Sequence, residues 1–92
     1  LYLRPRRMVD VTKVDAGVTL FGEAWPTPIV LAPAGSQKAY HAEGETAVAR
    51  AARDGNYLQI LSTVTSTPVE EIAKIPRRPF WYQLYPTPKW EN

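Results

Sequence analysis

The run Ile29-Val30-Leu31-Ala32 is apolar at every position and stops at Pro33. No other stretch restricts the fold as much. A strand covered on one face alternates apolar and polar side chains. One that is apolar throughout is expected to be buried on both faces, as in a parallel sheet layered with helices. Pro33 has no N–H to give to a ladder, so it ends the strand. A small-residue turn follows, Ala34-Gly35-Ser36, then polar residues with the only histidine, His41, and then a helix start near Glu43 to Glu45. The order is strand, tight loop, helix. Its polar chemistry falls at the carboxyl end of the strand, where α/β proteins bind ligands.

The chain prepares this unit and then repeats it. Arg4 to Asp15 mixes charged and apolar residues and reads as an irregular lead-in, with a short extended piece expected at Met8 to Val11. Val18 to Phe21 and Ala24-Trp25 flank Gly22-Glu23 and predict a hairpin, closed off by Pro26 and Pro28. Glu43 to Asp54 is the best helix, rich in alanine and with acids in its first turn. Val48, Ala51 and Ala52 are expected to share its buried face, and Gly55-Asn56 to stop it. Tyr57 to Leu61 reads as a second strand. Thr67 and Glu70 fit a capping box around Pro68 for a short helix ending near Ala73. Phe80 to Tyr85 reads as a third strand, ended by Pro86, Thr87 and Pro88. After the hairpin the pattern is β-α-β-α-β, the repeat of a barrel or of an open α/β sheet. A closed barrel needs about eight strands. Three would leave open edges.

Composition narrows the function. A net charge of +2 on 92 residues is too mild to argue for nucleic acid. Arg4-Pro5-Arg6-Arg7 and Arg77-Arg78 read first as solvated faces or local ion pairs, and second as anion contacts. With no cysteine there is no disulfide and no thiolate metal site; a reducing compartment fits, and the cytoplasm is expected. The start lacks a signal-peptide pattern and an initiator Met, and the end follows a strand-like run, so a piece of a longer chain is expected.

Several residues are candidates for chemistry. Gly35 lets backbone approach a ligand closely, or is a plain turn glycine. Ser62 and Thr63 follow a buried strand and either donate to a ligand or cap the strand end. Gln83 and Tyr85 share one face of the third strand, where buried polar groups need partners. His41 has no neighbour at metal-ligand spacing and reads as a loop or capping residue. Glu43 and Glu45 read as helix-start acids, not as a catalytic pair.

Four blocks resemble one family. They are Arg4-Pro5-Arg6 with Val9-Asp10-Val11; Pro28 to Glu45, similar to MPI-IAPTA-QK-AHPEGE; Leu61-Ser62-Thr63 followed by Val69 to Ala73; and Tyr82 to Tyr85, similar to FFQLY. Together they resemble the FMN-dependent 2-hydroxy-acid oxidases and dehydrogenases, such as glycolate oxidase, lactate oxidase and flavocytochrome b2. The resemblance implies an α/β fold: the N-terminal portion of a TIM (β/α)8 barrel, with lead-in and hairpin over 1–27 and the first βαβαβ units over 28–92. It implies FMN as cofactor, with Pro33, Ala34 and Gly35 against the flavin, Ser62 and Gln83 at its pyrimidine side, and Tyr85 on the substrate oxygen. The implied partners are a small 2-hydroxy acid and an electron acceptor, oxygen or another, with no nucleic acid. The family's base histidine, substrate arginines and flavin lysine lie on later strands, so these 92 residues alone are expected to be inactive. His41 corresponds to a family histidine outside the chemistry. Ala34 replaces a common threonine, and Val64 stands where some oxidases carry a bulky residue. The alternatives are an inactive partial barrel that self-associates through its edges and, last, a proline-rich interaction module.

Overall fold

The computed structural model describes residues 1–86. Residues 1–17 contain no helix or strand and are exposed throughout. The extended piece expected at Met8 to Val11 is absent: Met8 bends with φ 60°, and Asp10 turns back to accept from the N–H and hydroxyl of Thr12 at 3.0 and 2.8 Å. An aspartate satisfying the backbone two residues on competes with strand pairing.

Strands β1 (Val18–Leu20) and β2 (Glu23–Trp25) form the expected antiparallel hairpin, with Leu20 opposite Glu23. The turn is Phe21-Gly22, one residue earlier than the expected Gly22-Glu23. Both have positive φ, 48° and 83°, which is the type I′ geometry that matches the twist of two paired strands. It places Phe21 in the left-handed region and turns its ring onto Trp81, edge to face at 5.2 Å between centroids.

Strands β3 (Val30–Leu31), β4 (Leu58–Leu61) and β5 (Trp81–Tyr82) form a parallel sheet in the order β3-β4-β5. Val30 pairs with Leu58, and Ile60 with Trp81. The β-α-β-α-β order is as expected, but all three strands are shorter, β4 by Tyr57 alone. Only Val30 and Leu31 of the apolar run are strand, and Ile29 is 60% exposed. Burial on both faces is therefore not observed: β3 is an edge strand with β4 on one side only. At the other edge the ladder continues past β5 through one bond, from the N–H of Gln83 to the carbonyl of Leu61 at 2.8 Å.

Helix α1 (Glu45–Gly55) links β3 to β4, and the single-turn helix α2 (Val69–Ile72) links β4 to β5. The buried line of α1 is Glu45, Ala49 and Ala52. Ala51 is exposed and Val48 only half-buried, so the expected face is shifted. The helix starts two residues later than expected because Gly44, at φ 49° and ψ −132°, turns the chain sharply just before it. Asn56 ends it in the left-handed conformation, as the Gly55-Asn56 stop predicts. Ala49, Leu61 and Ile72 make the core, with Ile75 and Phe80 packed against it. The alanine lets α1 lie close on the sheet. Leu61 thereby faces the helices. By strand alternation Ile60 and Ser62 face the other way, toward the side where Phe21 meets Trp81.

Arg78 fastens the hairpin beneath the sheet. Its guanidinium lies 3.8 Å from the centre of the Trp25 ring and donates to Glu23 at 2.9 Å, to the carbonyl of Ala24 at 2.7 Å and to Asn56 at 3.2 Å. Of the basic clusters, Arg78 is thus a local ion-pair residue, while Arg4, Arg6 and Arg7 are exposed.

Candidate functional site

The carboxyl ends of β3, β4 and β5 lie side by side, and the loops leaving them are joined to one another. The pairing of Leu31 with Gln59 and of Leu61 with Tyr82 sets Pro33-Ala34-Gly35, Ser62-Thr63 and Gln83 at neighbouring heights. The N–H of Ser36 donates to the carbonyl of Val64 at 2.9 Å. Gly35 sits so close to Val64 that an added Cβ would lie 2.4 Å from Cγ2 and 3.1 Å from the carbonyl oxygen. Here glycine is required by the contact between two loops.

Ser62 is buried. Its hydroxyl oxygen accepts from the N–H of Val64 at 3.2 Å, which leaves its O–H to donate. Gln83 is half-buried, and its Oε1 accepts from the N–H of Thr63 at 3.3 Å. Thr63 also donates its hydroxyl to the carbonyl of Gln83 and accepts from the N–H of Tyr85 at 3.3 Å. With Oε1 occupied, the Gln83 carboxamide keeps its two N–H donors. Among the described residues neither these donors nor the Ser62 O–H has an acceptor. Both residues lie on the face of the sheet opposite the helices. Pro33 and Ala34 are exposed, the carbonyl of Ala34 accepts from Nε2 of Gln37 at 2.9 Å, and Tyr85 is exposed. Thr63, read as a strand cap or ligand donor, is a tie between β4 and β5. His41 is an exposed loop residue, and its Nδ1 accepts from the N–H of Glu43 at 3.3 Å, ahead of α1 and without capping it.

Glu45 departs furthest from its sequence reading. Glu43, two residues before α1, is exposed and paired with Arg50 at 3.0 Å; Glu45 opens the helix as expected but is fully buried. Its Oε1 accepts from the N–H of Gln37 at 3.2 Å and the N–H of Ser66 at 2.8 Å. The Ser66 hydroxyl lies 2.9 and 2.7 Å from its two oxygens, and the Thr67 hydroxyl donates to Oε2 at 3.1 Å. Burial raises the pKa of this carboxyl. The bonds from Ser66, backbone and side chain, and from the N–H groups of Glu45 and Gln37 outweigh it and bring the group down to about 2. The expected Thr67 capping box is therefore not formed: α2 has no side-chain cap, because the Thr67 hydroxyl is turned to Glu45. The signal lies in the spacing: side chains two residues apart do not share a helix face, so an exposed Glu43 leaves Glu45 toward the inner side.

A cavity of about 340 Å³ opens at the other end of the sheet, among Trp25, Ala52, Tyr57, Gln59, Arg77 and Phe80. It lies away from the loops carrying Ser62 and Gln83.

These features define a class first: a parallel α/β unit with polar donors at the carboxyl ends of adjacent strands, without a closed barrel among the described residues. The chain belongs to the FMN-dependent dehydrogenase family, whose profile matches residues 1–92. It is 44% identical over 85 residues to a peroxisomal (S)-2-hydroxy-acid oxidase of Oryza sativa, covering 92% of this chain and 23% of that protein. It is 41% identical over 85 residues to 4-hydroxymandelate oxidase of Amycolatopsis orientalis, covering 92% and 24%. Among solved structures, mandelate oxidase with (S)-4-hydroxymandelic acid superposes with a TM-score of 0.81 at 42% identity, over 91% of this chain and 23% of that one. The chain thus spans about a quarter of the length of these relatives. The family resemblance read from the four sequence blocks is correct, and FMN is the family's cofactor.

Proposed function

We propose that this chain is part of an FMN-dependent oxidoreductase that converts a 2-hydroxy acid to a 2-oxo acid. The observation that carries the reading is the pair of unspent donors, Ser62 O–H and Gln83 Nε2, on one face at the ends of adjacent strands. Hydrogen-bond donors suit the acceptor-rich pyrimidine edge of a flavin and stabilise negative charge there. The residues present therefore fit the group. Ser62 and Gln83 would hold the pyrimidine edge, and the backbone of Pro33, Ala34 and Gly35 would lie against the ring. FMN, when bound, supplies the two-electron acceptor. Tyr85 would orient the substrate oxygen through its hydroxyl. No residue of this chain is assigned the base: His41 is exposed on a loop, and its Nδ1 is occupied. The substrate class is supported by the names of the relatives, which act on hydroxy acids. The test is titration of the full encoded chain with FMN, followed by flavin fluorescence and visible absorbance. Bound, yellow protein is expected. A chain that binds no FMN at tens of micromolar overturns the reading.

A second reading has its own observation. The outer edges of β3 and β5 are unpaired among the described residues, and Ile29, Tyr82 and Leu84 are exposed beside them. Such edges favour self-association of an inactive partial barrel. Size-exclusion chromatography separates the two readings, because this one requires FMN-free oligomers.

A further inference from the structure

We propose that Glu45 is the positioning residue of the flavin site: its buried carboxylate clamps the loop after β3 to the loop after β4 and so sets the spacing between Pro33 to Gly35 and Ser62. The inference rests on the flavin reading above but concerns a residue that does not touch the ligand. The two loops are held by three ties. The N–H of Ser36 meets the carbonyl of Val64 at 2.9 Å, the N–H of Lys38 meets the hydroxyl oxygen of Ser66 at 3.0 Å, and Glu45 accepts from both loops at once. The ties are linked. The Ser66 hydroxyl accepts from Lys38 and passes its own hydrogen to Glu45, so the carboxylate orders the serine that holds the other loop.

The arrangement is asymmetric in a way that identifies its purpose. A buried carboxylate is costly to desolvate, and one with no cation beside it needs several donors to be tolerated. Among the described residues Glu45 has no salt bridge; its partners are backbone N–H groups and hydroxyls of the two loops. A core contact could be made by an apolar residue on the same helix line, as Ala49 and Ala52 do. A carboxylate there brings together N–H groups far apart in sequence, Gln37 and Ser66, on one oxygen. The ends of those same loops carry the proposed flavin contacts.

The experiment uses the full encoded chain and three variants, Glu45→Gln, Glu45→Ala and Ser66→Ala, with two readouts: the FMN dissociation constant from fluorescence quenching, and amide hydrogen exchange at Gln37 and Ser66. Glu45→Gln keeps an acceptor for both N–H groups and is expected to hold FMN within about threefold of the parent, whereas Glu45→Ala weakens it by about tenfold or more and loses protection at both amides. Ser66→Ala removes the hydroxyl link but keeps its N–H, so an intermediate loss is expected; it also serves if Glu45→Ala does not fold. Unchanged FMN affinity in Glu45→Ala, or in Ser66→Ala where the former is unfolded, overturns the positioning role even if the protein melts at a lower temperature. A parent chain that binds no FMN overturns the flavin reading itself, and the positioning claim with it.

Discussion

The side-chain oxygen of Gln83 accepts a hydrogen bond from the N–H of Thr63 at 3.3 Å, across the gap between β5 and β4. This one bond orients the carboxamide. With its oxygen turned to the neighbouring strand, the amide nitrogen points away from it and keeps both N–H groups without an acceptor among the described residues. The arrangement separates two properties that a single substitution can test.

Gln83→Glu keeps the acceptor for Thr63 and removes the donor. Its stability is expected to stay within about 0.5 kcal/mol of the parent, while FMN binding weakens by about tenfold or more. Gln83→Leu loses both and should also lower the melting temperature, because the N–H of Thr63 is left without its partner. Thermal melts and FMN titration of the same samples check both. A Gln83→Glu variant that binds FMN as well as the parent removes Gln83 from the cofactor site.

Gly35→Ala places a methyl group 2.4 Å from Cγ2 and 3.1 Å from the carbonyl oxygen of Val64. The Val64 side chain must turn away and its carbonyl give way slightly, which strains the bond from Ser36 to Val64. A loss of about 1–3 kcal/mol is expected from this overpacking. Val64→Ala in the same background removes the closer contact and should recover part of the loss, but not all, since the carbonyl contact remains. Urea unfolding of the single and double variants measures both effects.

The pH dependence follows from Glu45. Its carboxyl drops from a usual 4.5 to about 2 in the folded chain. A group whose folded pKa is depressed favours the fold in its charged form. The contribution is fully present above about pH 4.5 and is lost as the pH falls toward 2. Its size is about 3 kcal/mol by linkage. Glu45→Gln should lack this component, so the stability difference between parent and variant should shrink as the pH falls through that window. A difference that stays constant from pH 5 to 2.5 contradicts the depressed value.

Arg78→Ala removes the stack on Trp25 and the bonds to Glu23, Ala24 and Asn56. The guanidinium is partly exposed, so a loss of about 1–2 kcal/mol is expected. Arg78→Lys should recover less than half, because an ammonium has no planar fork to stack and donate at once. Tryptophan fluorescence during unfolding reports the release of the hairpin.

How far the sequence reached differs from residue to residue. The order β-α-β-α-β and the stop at Asn56 were legible because they depend on local preferences: apolar runs, proline breaks, alanine in α1 and a left-handed helix end. The four family blocks were legible because they depend on residue identity at fixed spacing, and the family match confirms them. The hairpin was found but its turn was set one residue late, since the choice between Phe21-Gly22 and Gly22-Glu23 is made by strand pairing and not by the glycine alone.

Tertiary structure alone decided Glu45 and Thr67. Locally, an acid at a helix start suits the helix dipole, and a Thr followed three residues later by Glu suits a capping box. Glu45 does open α1, but its carboxylate and the Thr67 hydroxyl are spent on each other, a bond from the helix to a loop 22 residues on, and the capping box is lost. The same holds for Thr63 and Gln83, which meet only because β4 and β5 lie side by side in parallel. The sequence by itself determined the elements, their order and the family, because these rest on near-neighbour physics and residue identity. Which polar groups spend their hydrogen bonds inside the protein was decided by distant segments meeting at the carboxyl ends of the strands, where burial makes an unpaired polar group costly.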